Sequence, residues 1–129
     1  MQGEEAVLVR DIPYTVDDRE IYRLLGYRKG KEADRDEVRW AVLEMKEISR
    51  EIIKPRGAYL ILSPADITKR GPFRQAEKVG LGLCTIGNDL EKNVRELFKR
   101  GKYLEGLVID TIGSVAVDSV ADSLNFLDL

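Results

Sequence analysis

The chain has 129 residues, 43% hydrophobic and 34% charged, with a formal net charge of -2, no histidine and one cysteine. Those counts exclude, within this chain, serine–histidine and cysteine–histidine catalysis, histidine-ligated zinc and an internal disulfide. Acids and bases are interleaved, which argues against a nucleic-acid partner, and no apolar run is long enough to cross a bilayer, so one soluble, cytoplasmic domain over residues 1–129 is expected.

Taken in order, Ala6 to Arg10 (AVLVR) predicts a short edge strand, stopped at Asp11 and Pro13 because proline has no amide to give a ladder. Thr15 or Asp17 is placed to cap a first helix. Asp18 and Glu20 suit its positive first turn, Ile21, Leu24 and Leu25 give it an apolar face, and Gly26 ends it. The polar stretch that follows (YRKGKEADRD) reads as a surface loop. A second helix is expected from Asp34 to Ile53, with Val38, Ala41, Val42, Met45, Ile48 and Ile52 at three- and four-residue spacing. Its outer face is charged and solvated, with small pairings such as Glu47 with the basic neighbours of Glu51. Trp40 lies off the apolar line, where it either covers a core edge or faces a partner segment.

Gly57 to Ser63 (GAYLILS) reads as a buried strand stopped by Pro64, and Ala65 to Arg70 as a helical turn capped by Ser63 and broken by Gly71-Pro72. The organising stretch is Leu81 to Phe126. Leu81, Leu83, Cys84 and Ile86 form a strand closed by Gly87, and Asn88 with Glu91 offers a capping box for a helical run. Gly106 to Ile112 is β-branched and could be a strand, but Asp110, Ser114, Asp118 and Asp122 recur every four residues while Ile109, Ile112, Ala116, Val120, Leu124 and Leu127 line another stripe. Only a helix keeps both sets together, so a long helix from about Lys102 to Phe126, bent near Gly113, is expected. The fold class is therefore α+β: a small, mainly antiparallel sheet covered by helices, with a long C-terminal helix.

A strand ending CTIG joined to a helical stretch opening NDLEKNVRELFKRGKYLEGLVIDTIGSVAVDSVADSLN resembles the activation domain of cobalamin-dependent methionine synthase, and more closely its short stand-alone relatives. The helix ending RLLGYRKG is also similar, and together these segments follow the order of the first part of the family domain. The resemblance implies a C-shaped domain that binds S-adenosylmethionine and packs over a corrinoid on a partner methyltransferase domain or subunit. It implies support for reductive methylation of inactive cobalamin, with a flavodoxin-type electron donor. The family's Arg-x-x-x-Gly-Tyr ligand motif follows the long helix, beyond the last residue here, while Arg23, Gly26 and Tyr27 form a near copy with only two intervening residues on the first helix.

The motif does not carry over onto that copy; Gly26, Tyr27 and Arg28 are candidate cofactor-binding positions by their place at the end of the first helix, with a plain loop as the competing reading. Three further features have bland alternatives. Cys84 is expected to be a buried, inert thiol; Asp110, Asp118 and Asp122 could bind a hard cation or simply be solvated; Gly87-Asn88 could hold an anion or simply cap a helix. No catalytic residue is assigned. A second function, a non-catalytic partner-binding domain that kept the fold without the ligand site, stands beside the first.

Overall fold

The computed structural model describes residues 6–28, 35–62 and 79–126. Along the chain they form β1 (Ala6–Arg10), α1 (Asp18–Leu24), α2 (Asp36–Ile52), β2 (Arg56–Leu62), β3 (Val79–Thr85), α3 (Asp89–Lys99) and α4 (Tyr103–Phe126). The three strands make one antiparallel sheet in the order β1-β2-β3, so β1 is an edge strand as its Pro-terminated sequence predicts. The α+β class and the long C-terminal helix both hold. The helical turn expected over Ala65–Arg70 and the middle of the loop between α1 and α2 lie outside the described residues.

Helix α4 is the hub. Of its expected stripe, Ile109, Ile112, Ala116, Val120 and Leu124 are buried and Leu127 lies outside the described residues; Val108 and Val115 widen the buried face, while Asp110, Ser114, Asp118 and Asp122 remain exposed as their four-residue spacing demands. Full burial of a side chain such as Ile109 or Ile112 contributes about 1.5–3 kcal/mol each. The hub packs against α1, α2, α3 and β3. From α2 come Ala41, Val42 and Met45, and from the first connection Ile12, all buried in the same cluster.

Two glycines shape the second half, whose long helix starts where the sequence places it, near Lys102. The helical run after β3 is divided at Gly101, whose φ of 76° closes α3: the amide of Gly101 donates to the Phe98 carbonyl at 3.1 Å and that of Lys102 to the Leu97 carbonyl at 2.9 Å. Helix α4, in contrast, runs unbroken through Gly113. Glycine serves close packing there, because a Cβ would sit 2.7 Å from Leu90 Cδ2 of α3.

The sheet meets the hub on one face only. Register places Val7, Val9, Gly57, Tyr59, Gly82 and Cys84 on the inner side and Ala6, Leu8, Arg10, Arg56, Ala58, Leu60, Leu81, Leu83 and Thr85 on the outer. Leu124 of α4 reaches into the inner face, where a Cβ at Gly57 or Gly82 would lie 3.3 or 3.2 Å from its Cδ2. Outside, Leu8 and Leu83 are 74% and 78% exposed. Half-burial also replaces the full burial expected for β2 and for Cys84, since each has cover on one side alone.

Candidate functional site

The cleft most directly built by the organising stretch lies where β3 ends, α3 begins and α4 passes. Gly87 turns the chain with φ 90°, a conformation that only glycine adopts without strain. Its amide donates to Thr85 Oγ1 at 3.0 Å, and the Lys54 amide donates to the Ile86 carbonyl at 2.8 Å, which pins the turn to the end of α2. Asp89 at the start of α3 reaches Lys54 at 3.4 Å. Asn88 is the N-cap residue, but its side chain makes no capping bond. The reason is local: capping geometry needs extended backbone, and Asn88 sits at φ -95°, ψ -13°.

This cleft encloses about 340 Å³ and is lined by Thr85, Asn88, Glu91, Asp110 and Ser114 with Ile86, Leu90 and Val117 as its apolar part. Its size falls in the range of small-molecule sites. Two carboxylates, Glu91 and Asp110, border it, so the anion that a bare helix start would attract meets like charge here. A ligand carrying positive charge and hydrogen-bonding groups fits the lining better. Cys84 also lines it, and the acid–base groups in the lining are the carboxylates Glu91 and Asp110.

The aspartate stripe is split by the structure. Asp110 joins the cleft just described, whereas Asp118 and Asp122 border another, of about 300 Å³, together with Asp17 and Glu20. Glu20 is engaged by Arg23 at 2.8 Å, and among the described residues no group of ligands is arranged to hold a metal ion.

Gly26, Tyr27 and Arg28 line neither cleft. They close α1. Gly26, at φ 102°, donates its amide to the Arg23 carbonyl at 3.1 Å, Tyr27 donates to the Tyr22 carbonyl at 2.9 Å, and the Tyr27 ring meets the Tyr22 ring edge-on at 5.9 Å. This is a complete glycine helix stop with its accompanying apolar contact. The two backbone amides and the ring that a ligand would use are already engaged, and the Arg28 side chain is exposed.

A pocket that sequence reading missed lies between the first connection and α2. It holds about 420 Å³ and is lined by Tyr14, Thr15, Val16, Lys46, Ser49 and Arg50. The Thr15 amide donates to Ser119 Oγ at 2.8 Å, which ties this wall to α4. Burial pushes the Tyr14 hydroxyl above its ordinary pKa, and the Arg50 charge pulls it partly back. Lys46 and Arg50 are held by Asp18 at 2.7 Å and Glu47 at 2.9 Å, the latter being the surface pairing expected near Glu51. Trp40, 69% exposed on α2, covers no core edge among the described residues.

Among the described residues no helix is long and apolar enough to cross a membrane. No family model matches the chain, and no curated protein matches it.

Proposed function

We propose that the chain is an activation-domain-like module of a cobalamin-dependent methyltransferase, serving S-adenosylmethionine-dependent reductive methylation of a corrinoid held by a partner domain or subunit. The observation that carries this reading is the cleft of about 340 Å³ formed within the segment that resembles the activation domain, between the CTIG strand end and the two helices that follow. S-adenosylmethionine carries a sulfonium and an ammonium group, and Glu91 and Asp110 suit both by charge. The adenine and ribose would have the apolar side chains of Ile86, Leu90 and Val117 and the hydroxyls of Thr85 and Ser114. When bound, S-adenosylmethionine supplies the methyl group and the corrinoid accepts it, with electrons from a flavodoxin-type donor. The chain itself would position and enclose. A cytoplasmic setting goes with this role.

Titration calorimetry of the folded chain tests it. Saturable binding of S-adenosylmethionine, weaker binding of S-adenosylhomocysteine because the sulfonium charge is gone, and a loss of about tenfold in Glu91→Gln or Asp110→Asn are expected. Absence of heat from a folded chain, or equal affinity for both ligands, overturns the placement of the ligand in this cleft. The second reading, a partner-binding domain without the ligand, is favoured by one observation: Gly26 and Tyr27 are spent on closing α1. Under that reading neither ligand binds and partner capture persists.

A further inference from the structure

The outer face of the sheet is apolar, open and charged at one end. The cross-strand triple Leu8, Ala58 and Leu83 sets the small side chain of the central strand between two exposed leucines, which makes a trough floored by Ala58. Cavities of about 420 Å³ and about 320 Å³ lie along it and share Ala58 and Leu83. The first, lined by Leu60 and Leu81 among others, is almost wholly apolar, and the second extends to Arg56 and Thr85. Arg10 and Arg56 stand directly opposite each other at that end, both exposed. Among the described residues neither is in an ion pair. Like charges in direct cross-strand register repel, and nothing within the described sheet offsets it.

We infer that this face docks a partner-protein segment presenting an apolar stripe that ends in Asp or Glu. The apolar residues would fill the trough over Ala58, and the carboxylate would bridge Arg10 and Arg56, the arrangement in which a fork-shaped guanidinium binds most strongly. A second copy of the chain fits less well. A two-fold interface meets its own surface, and among its described residues this face carries cations and no carboxylate to answer them. The inference rests on reading the chain as a module that works against a partner, and it is independent of S-adenosylmethionine.

Selection of a displayed library of random short peptides on the intact chain tests it, with S-adenosylmethionine titration run in parallel so that the two readings fail separately. Enriched peptides should pair apolar residues with Asp or Glu. Replacing those acids by Lys should weaken binding at least tenfold, Arg56→Glu should reverse the preference, and Leu83→Ser should remove binding of both forms while leaving the helical signal unchanged. Enrichment of basic peptides, no enrichment by the folded chain, or binding that survives Leu83→Ser overturns the inference. So does labelling of Leu83→Cys at the rate of a buried thiol, or concentration-dependent self-association that Leu83→Ser abolishes, which would assign the face to a second copy.

Discussion

The two faces of the three-stranded sheet carry similar amounts of apolar side chain and meet opposite fates. On the inner face Gly57 and Gly82 leave room for Leu124 of α4, and Val9, Tyr59 and Cys84 pack against the core. On the outer face Leu8, Leu81 and Leu83 stand in solvent. The contrast teaches that hydrophobic content did not select the covered face. Glycine did, by allowing a helix to approach the backbone, while the outer leucines hold that backbone away from any flat cover.

The largest expected break in this comparison comes from unpacking the hub that gives the inner face its cover. Ile109→Ala should cost about 3–4 kcal/mol in denaturant unfolding, since Ile109 is fully buried in the helix that packs against α1, α2, α3 and β3. Leu83→Ser, on the outer face, should change stability by less than about 0.5 kcal/mol. If the two cost the same, the outer face is covered and the asymmetry is false.

Adjacent residues of β2 sharpen the point. A Cβ at Gly57 meets the Leu83 carbonyl oxygen at 2.9 Å and the Ile12 side chain at 3.1 Å, and backbone cannot step aside as a side chain can. Gly57→Val should therefore destabilise by about 2–3 kcal/mol. Ala58→Val, one residue on and facing out, should be within about 0.5 kcal/mol of the parent. Thermal unfolding of the two variants side by side gives the answer.

Much of this was legible in the chain and the rest was hidden for identifiable reasons. The two stripes of α4 were readable because four-residue spacing is a property of one helix and needs no partner. The edge position of β1 followed from Pro13. Which face of the sheet is covered was not readable, because VLV and LIL patterns are apolar on both faces and suit a strand sandwiched between two layers. The cleft beside Gly87 was visible as a glycine turn before a helix, yet its carboxylate Asp110 comes from a different helix and only tertiary packing brings it to Glu91. For Gly26, Tyr27 and Arg28 the sequence left a ligand contact and a plain loop both open, because a helix stop and a binding loop draw on the same residue types.

Helix caps form a smaller test of what sequence can promise. Asp17 and Asn88 are both good N-cap residues, but Asp17 has extended backbone and accepts from the Arg19 amide at 2.9 Å, whereas Asn88 does not cap. Asp17→Ala should cost about 1 kcal/mol. Asn88→Ala should cost less than about 0.5 kcal/mol. Equal losses in chemical denaturation would mean that α3 is capped in solution after all.

The smallest effect concerns the pocket between the first connection and α2. Burial raises the pKa of Tyr14 above its ordinary value of 10.0, with Arg50 acting in the opposite sense. Below pH 10 the folded and unfolded chains both keep this proton. Above it the unfolded chain releases the proton first, so the contribution of Tyr14 to stability is present below pH 10 and lost as pH rises through the folded value. Tyr14→Phe removes the ionisable group, so the decline in stability above pH 10 should be shallower in the variant than in the parent. A steeper decline in the variant would mean that the ionised hydroxyl is the form the fold prefers, and that Arg50 outweighs burial in setting the chemistry of that pocket.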